Sequence, residues 1–466
     1  MATQLQKFAS RFFGSHVRHA SFFTVSRTIC TSFATIILLG AILLMLPSAH
    51  TNGAWGDFLT ALFTSTSAVC VTGLTAVDTG TYYTYFGQFI IMLLIQIGGL
   101  GYMTLTSFLI VMLFHKFSLK ERLALKETLD TPGYSGINNF IVSILVVTAL
   151  FEVIGVILLF FAFIQRMSWG KALWAATFHS VSAFNNAGFS IFSDNLMSYV
   201  SSPLVNFTVT MLIIFGGIGY QVIIEIYLYI KSKLELIVYR PCFTLNFNIV
   251  TRTTLFLLFF GTLVIWILER KNTGTMAHLS LGEQWMASWF QAVTARTAGF
   301  NTVDNGKLSI ASLLATIALM FIGGSPGGTA GGIKTTTAWL LYAATKIALT
   351  AKDTVIAFER RIPSGLLIKA IGITVASMLV CLLSTMILVI KEHNQPFINL
   401  LFEVVSAFGT VGLSTGVTPI LSDTSKLALI ATMYIGRVNI LLLMSAFIPK
   451  PDPSHVRYAE GQLLIG

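Results

Sequence analysis

Phe63–Leu74 reads F-T-S-T-S-A-V-C-V-T-G-L, a short apolar run dotted with hydroxyl residues that closes at Gly73 and gives way to polar loop. Three later stretches repeat it: Trp174–Phe189 (W-A-A-T-F-H-S-V-S-A-F-N-N-A-G-F), Trp289–Phe300 (W-F-Q-A-V-T-A-R-T-A-G-F) and Leu401–Leu413 (L-F-E-V-V-S-A-F-G-T-V-G-L). Each reaches a glycine followed by a large apolar residue. Gly73, Gly188, Gly299 and Gly412 recur at intervals of 115, 111 and 113 residues, so the chain of 466 residues is about four units long.

Composition sets the medium. Hydrophobic residues make up 55% of the chain and charged residues 10%, where a soluble domain carries about a quarter charged. Several apolar runs reach the roughly 20 residues that cross a bilayer, which makes this a polytopic membrane protein. Arg11, Arg18 and Arg27 precede an apolar stretch, as in a signal peptide. That stretch (28–46) is too long for such a segment and has no small-residue cleavage site, so it reads as the first span. Cys30, Cys70, Cys242 and Cys381 are scattered without metal spacing and read as packing residues.

Each unit follows one plan of span, short re-entrant helix, glycine loop and second span. The boundaries are 28–115, 136–230, 248–347 and 365–449, between a cytoplasmic N-terminus (1–27) and a cytoplasmic tail (450–466). The expected spans are 28–46 and 86–114, 137–164 and 203–230, 250–268 and 308–346, and 366–390 and 427–448. Asp57 caps the first short helix (58–69), Ser168 the second (169–184), and Ser280 with Glu283 forms a capping box before the third. Pro396 opens the fourth, where its missing N–H does no harm. Twelve residues make about 18 Å of helix, too little for a hydrocarbon core of about 30 Å, so the short helices must enter and return on one side.

Charge gives the orientation. Of the 29 Lys and Arg, 19 fall in the N-terminal segment, the three inter-unit connections and the tail: Lys7, Arg11, Arg18 and Arg27; Lys116, Lys120, Arg122 and Lys126; Lys231, Lys233, Arg240 and Arg252; Lys346, Lys352, Arg360, Arg361 and Lys369; Lys450 and Arg457. The positive-inside rule puts these segments, and both termini, in the cytoplasm. The net charge of +10 is therefore a topology signal and calls for no nucleic acid. A second marker follows each loop glycine by 25, 28, 24 and 24 residues: Gly98-Gly99, Gly216-Gly217, Gly323-Gly324 and Gly436-Arg437. Small residues at one depth let the second helices approach closely.

Helix C-termini carry partial negative charge, and four of them around one axis favour a cation there. The residues just beyond, Val71-Thr72-Gly73, Asn186-Ala187-Gly188, Thr297-Ala298-Gly299 and Thr410-Val411-Gly412, are placed to aim peptide carbonyls at that axis. Irregular backbone at membrane depth is tolerated where it lines a cavity, and carbonyl rings replace an ion's water shell. Glycine supplies dihedrals a Cβ would resist. The plain alternative is that these glycines only turn a loop. The fold class expected is all-α, with four span–pore-loop–span units in pseudo-four-fold symmetry around one pore.

The plan, with V-T-G-L, N-N-A-G-F, R-T-A-G-F and T-V-G-L, resembles the Trk/Ktr/HKT potassium transporter superfamily, and G-G-T-A-G-G-I-K-T-T-T (Gly327–Thr337) resembles its third-unit motif. Eight spans without an extra N-terminal pair are most similar to the membrane subunit of the Ktr branch. The resemblance covers nearly the whole chain. It implies K⁺ at the filter carbonyls and uptake into a bacterial cell across its plasma membrane. It further implies Na⁺ as a candidate activator, a homodimer, and a cytosolic ring of nucleotide-binding regulatory subunits. Val456–Gly466 also resembles the family C-terminus, which implies a role in subunit contact. Gly73 resembles the potassium-selective members, where a Ser in the first loop marks sodium conductors; a sodium-conducting member is the nearest rival.

Gly323, Gly324, Ser325, Pro326, Gly327, Gly328, Thr329, Ala330, Gly331 and Gly332 interrupt the second span of unit three. Helix there costs about 1 kcal/mol per Gly and about 3 for Pro. The span should break beneath the filter and act as a movable gate; a static kink is the alternative. Arg437 lies inside the last apolar span, where a charge costs at least about 2.5 kcal/mol. It reads as a charge barrier on the gate side, against the alternative of a structural ion pair. The family motif continues Gly-Arg-x-Gly-Pro, whereas here it is Gly436-Arg437-Val438-Asn439-Ile440, which puts local helix geometry in question. Arg296, Glu403 and His179 read as hydrogen-bonded braces, Glu152 and Glu225 as paired within the bundle. Lys334 either attracts acidic groups or snorkels to the interface. Gly323–Gly327 matches G-x-S-x-G, the mark of a hydrolase, but no strand precedes it. Gly327–Thr335 nearly matches a P-loop, with Ile333 breaking the Gly-Lys pair. No catalysis on a substrate and no cofactor in this subunit are expected.

Overall fold

The computed structural model describes residues 25–114, 136–234, 243–350 and 354–447. The basic residues numbered 7, 11, 18, 116, 120, 122, 126, 240, 352, 450 and 457 lie outside them, as do Cys242 and the tail 450–466.

One element order recurs four times: a long helix, a short helix, a loop and a second helix. The first quarter is α1 (Val25–Leu44), α2 (Phe58–Val69) and α3 (Tyr85–Phe114). The second is α4 (Gly136–Phe163), α5 (Trp169–Phe184), α6 (Pro203–Gly217) and α7 (Tyr220–Leu234). The third is α8 (Leu245–Glu269), α9 (Leu281–Thr294), α10 (Ile310–Phe321) and α11 (Thr335–Thr350). A two-stranded hairpin, β1 (Ile356–Ala357) and β2 (Arg360–Arg361), leads to α12 (Ser364–Lys391), α13 (Phe397–Gly409), α14 (Asp423–Val438) and α15 (Ile440–Phe447).

Local chemistry starts the short helices where the sequence indicates. Asp57 Oδ2 accepts the Thr60 amide at 2.9 Å. The Ser280 amide and hydroxyl donate to Glu283 Oε2 at 2.9 and 2.7 Å, one arm of a complete capping box. Ser168 and Pro396 hold the N-cap positions of α5 and α13 without a side-chain cap bond.

The long helices wear their apolar residues outward. Leu39, Val146, Phe259 and Leu382 are all exposed, the surface of a chain solvated by lipid. The short helices are enclosed instead, with Phe63, Phe178, Phe290 and Phe402 completely buried. Among the described residues, α1, α4, α8 and α12 are long and apolar enough to cross a membrane. The pair α6–α7 adds one span bent by 102°.

Eight uninterrupted spans were expected apart from the break in quarter three, and here the structure differs. Quarter two breaks at Gly219, whose φ of 96° belongs to glycine, and quarter four breaks at Asn439, at φ 74°. No proline marks either site. The departure Val438-Asn439-Ile440 sits at the second break, since Asn is among the few non-glycine residues that visit left-handed backbone readily. Quarter three breaks as the Gly/Pro content demands, leaving α10 only 12 residues long.

Candidate functional site

The four loop glycines meet. A methyl built on Gly73 would lie 2.3 Å from the Ala187 carbonyl oxygen, and one on Gly188 would lie 2.6 Å from that of Ala298. From Gly299 the corresponding contact is Val411 at 2.5 Å, and from Gly412 it is Thr72 at 2.1 Å. The contacts run from quarter one to two, two to three, three to four and four back to one. Twelve residues, Val71 to Gly73, Asn186 to Gly188, Thr297 to Gly299 and Thr410 to Gly412, are thereby drawn into one closed ring. No side chain fits between neighbours at the glycine positions.

The backbone of the ring is strained in a repeated way. Gly73, Gly188, Gly299 and Gly412 have φ of 93°, 68°, 78° and 89°. Two residues earlier, Val71, Asn186, Thr297 and Thr410 also take positive φ, at 55°, 60°, 76° and 49°. For β-branched Val and Thr this is an outlier that costs about 1–2 kcal/mol each. Three of the four short helices end in the motif that requires it: the Thr72 amide donates to Ser67 O at 2.7 Å and the Val71 amide to Ala68 O at 3.1 Å. Ala187 and Asn186, and Val411 and Thr410, repeat the two bonds. Alternating left-handed residues let successive carbonyls face one way, whereas an extended strand would alternate them.

Hydroxyls of the short helices hold each loop from behind. Ser67 Oγ accepts the Gly73 amide at 3.0 Å and Ser406 Oγ the Gly412 amide at 3.1 Å. Ser182 donates to Phe189 O at 2.8 Å and Thr294 to Phe300 O at 2.6 Å. These four were not singled out from sequence, although a Ser six residues before the glycine stands in three of the four stretches.

The acid, the imidazole and the guanidinium of the short helices are all engaged. Glu403, buried, accepts from Ser414 Oγ (2.8 Å), the Thr415 amide (2.9 Å) and Thr418 Oγ1 (2.6 Å). His179 Nδ1 donates to Ala175 O at 2.7 Å, which leaves Nε2 to accept from Ser190 Oγ at 2.8 Å. Arg296 Nη2 reaches away from its own loop to Gly323 O at 3.0 Å. Asn185 Nδ2 links Gln96 Oε1 (2.7 Å) and Glu152 Oε1 (3.1 Å) between quarters one and two. Glu225 accepts the Thr244 amide and hydroxyl at 3.0 and 2.8 Å and so caps α8.

The downstream glycines serve a different contact from the one expected. A methyl on Gly98, Gly216 or Gly436 would strike Val69 O, Phe184 O or Phe408 O at 2.0, 1.8 and 2.0 Å. They make room for the C-terminal end of the short helix in their own quarter, while a methyl on Gly324 would lie 3.0 Å from Gly217 O, so the markers of quarters two and three do meet.

The glycine-rich segment between α10 and α11 fills the break in quarter two. The Ser325 and Thr329 amides donate to Gly217 O and Gly216 O at 3.0 and 3.1 Å, and the Tyr220 amide donates to Gly327 O at 3.1 Å. The bent helix thus supplies the partners that a broken helix must find. Gly323 N bonds Ile333 O at 2.9 Å and Thr335 N bonds Gly324 O at 3.0 Å, closing the segment at its base. At Gly331 an added methyl would lie 2.1 Å from Thr410 Oγ1, so Gly331 touches the ring itself. Arg437, 7% exposed, donates to Thr329 O and, at 2.6 Å, to Gly98 O. Lys334 Nζ folds back to Ala330 O at 2.6 Å. Ser325 is buried with its hydroxyl bonded to Thr335 Oγ1 at 3.2 Å, not to an imidazole. Among the described residues no group of His, Cys, Asp and Glu is placed to hold a metal.

A largely helical bundle with lipid-facing helices and a closed ring of strained peptide at its centre is a membrane transporter's architecture. The family model described as TrkH, cation transport protein, matches residues 14–458, and the chain belongs to that family. It is 40% identical over 445 residues to Ktr system potassium uptake protein B of Bacillus subtilis, covering 95% of this chain and 97% of that one. Potassium/sodium uptake protein NtpJ of Enterococcus hirae is 36% identical over 443 residues, covering 94% and 96%. The fold is similar to that of the crystal structure of the potassium transporter TrkH from Vibrio parahaemolyticus, with a TM-score of 0.70 at 18% identity over 90% of this chain and 84% of that one. These relatives are transport proteins, and this chain is not an enzyme.

Proposed function

We propose that this chain is the potassium-translocating membrane subunit of a Ktr-type uptake system in a bacterial plasma membrane, with both termini in the cytoplasm. K⁺ passes down its electrochemical gradient through one pore, around which the four quarters stand in pseudo-four-fold symmetry. The observation that carries this is the cyclic contact of Gly73, Gly188, Gly299 and Gly412 with the carbonyls before the next glycine. Carbonyls fixed by strained backbone replace the ion's hydration shell without a charged side chain to hold it too tightly. The residues from Val71 to Gly73 and their three counterparts are the filter.

The segment Gly323–Gly332 is the gate. Its contact with Thr410 through Gly331 and its attachment to Gly216 and Gly217 support a plug on the gate side of the ring. Arg437 adds a positive charge there. The relatives named as proteins of a Ktr system support a subunit within a larger system; our reading of that system is a homodimer controlled by a cytosolic nucleotide-binding ring.

A second reading, sodium conduction or sodium activation, draws support from the relative named for both ions. Uptake of K⁺ and Na⁺ in a transport-deficient bacterial strain, with and without a regulatory subunit, tests both. K⁺ uptake that depends on the chain is expected. Na⁺ uptake at an equal rate would replace the potassium reading, and absence of both fluxes at normal expression would end it.

A further inference from the structure

The connection between α11 and α12 carries a rigid basic hairpin. Ile356 pairs with Arg361 and Ala357 with Arg360, and Phe358 and Glu359 turn the chain at φ 48° and 64°. That double left-handed turn is the tightest hairpin connection. One side is anchored: Val355, Ala357 and Ile362 are buried against Ala343, with Trp339 and Leu340 beside them. The Arg252 guanidinium stacks 4.4 Å from the Phe358 ring centroid.

The other side has no partner within the described residues. Arg361 projects from it, whereas Arg360 stands opposite Ala357 on the anchored side; both side chains are exposed and make neither a hydrogen bond nor an ion pair within the described residues. Ile356, on the same face as Arg361, is 69% exposed. Glu359 at the tip is the one acid of the hairpin. Two residues after Arg361 begins α12, a helix long and apolar enough to span the membrane.

We infer that this hairpin is a docking surface for anionic phospholipid headgroups. Arg361 takes the phosphate through its planar donor fork, Arg360 adds charge at the rim, and Ile356 on the face of Arg361 seats at the acyl boundary. An exposed isoleucine beside an unpaired arginine at the foot of a span is the pattern of a lipid interface. The tight turn and the Arg252–Phe358 stack fix the hairpin backbone before lipid arrives, so binding has only the exposed side chains to order.

The test uses the full-length protein, purified in detergent and stripped of lipid, then titrated with dioctanoyl phosphatidylglycerol and with its phosphatidylcholine counterpart by native mass spectrometry. Tighter retention of the anionic lipid is expected. Arg361→Gln should weaken it about fivefold, and the double variant R360Q/R361Q about 30-fold, with the neutral lipid unaffected. Ile356→Ser, at an exposed position, should weaken both lipids without changing the elution volume of the protein. An unchanged preference in the double variant overturns the inference. Equal affinity for inorganic phosphate overturns it in favour of a free-phosphate site. Intact lipid preference with lost capture of a regulatory subunit overturns it in favour of protein docking.

Discussion

Arg437 of α14 holds Gly98 O of α3 at 2.6 Å and donates at the same time to Thr329 O in the glycine-rich segment. One cation near the end of the fourth quarter therefore ties the segment to the first. A guanidinium saturating two main-chain carbonyls stabilises each by about 1.5–3 kcal/mol. On the proposed reading, the same charge would also oppose a cation leaving the ring on that side.

Arg437→Ala removes both effects, leaving Thr329 O and Gly98 O without these donors. The expected result is a lower melting temperature together with faster Rb⁺ flux into proteoliposomes lacking the regulator. Flux that stays at the wild-type rate in equally reconstituted protein would count against the barrier.

The ring makes a sharper demand. Gly73→Ala places a methyl against Ala187 O and forces alanine to φ 93°; Gly299→Ala does the same against Val411 O at φ 78°. Backbone strain alone costs about 1–2 kcal/mol, and the contact must also be relieved by spreading the ring. Both variants should lose K⁺ over Na⁺ discrimination by at least tenfold in competitive flux. Gly170→Ala and Gly282→Ala, at the exposed starts of α5 and α9, meet nothing within 4 Å and serve as controls that should transport normally.

These expectations show how much was legible in the chain itself. The first two short helices, 58–69 and 169–184, could be read to the residue, and the polar caps Asp57 and Ser280 of the first and third are local signals. The ring was anticipated from four similar glycines, but the strain at Val71, Thr297 and Thr410 was not, since Val and Thr are poor choices for left-handed backbone. At Val71 and Thr410 the closing bonds of the short helix impose it in spite of the residue type, from Val71 to Ala68 O and Thr72 to Ser67 O in the first quarter. Likewise the bend at Gly219 looked like one more glycine in an apolar run. Its reason lies 107 residues away, in the Pro326 and Gly327 carbonyls that occupy the gap. Arg437 signalled a buried partner without naming it, because main-chain carbonyls leave no trace in a sequence.

Two acids at the ends of long helices, Glu269 closing α8 and Glu392 just beyond α12, fasten the second ones. Glu269 Oε1 accepts the Ser309 amide at 2.9 Å, and Glu392 Oε1 accepts the Ser422 amide and the Ser422 and Ser425 hydroxyls at 2.8, 2.7 and 2.7 Å. Burial pushes the Glu392 carboxyl up, but these bonds, with Lys426 nearby, outweigh it and hold the group below its ordinary value of 4.5. A depressed carboxyl contributes stability that is complete above the unfolded value and disappears as pH falls through the folded one. The melting temperature should therefore be level from pH 7 to about 5 and decline below it. Glu392→Gln should start lower and show a shallower decline over the same range, measured by thermal unfolding in detergent.

Gly219 offers the cleanest separation of gate from filter, because it lies in the bend and outside the ring. Its φ of 96° and the 2.6 Å approach of an added methyl to Pro326 O mean that Gly219→Ala must either straighten the bend or push the glycine-rich segment away. Straightening would return the Gly216 and Gly217 carbonyls to a continuous helix and strip the Ser325 and Thr329 amides of their acceptors. Either way the segment loses its seat while the loops Val71–Gly73 and Thr410–Val411 keep their own hydrogen bonds. The expected phenotype is several-fold higher Rb⁺ flux without a regulator and an unchanged preference for K⁺ over Na⁺. Gly372→Ala, on the exposed face of α12 with nothing within 4 Å, should do neither. A Gly219 variant whose selectivity collapses along with its closure would mean that segment and ring are one device, and the division into filter and gate would have to be withdrawn.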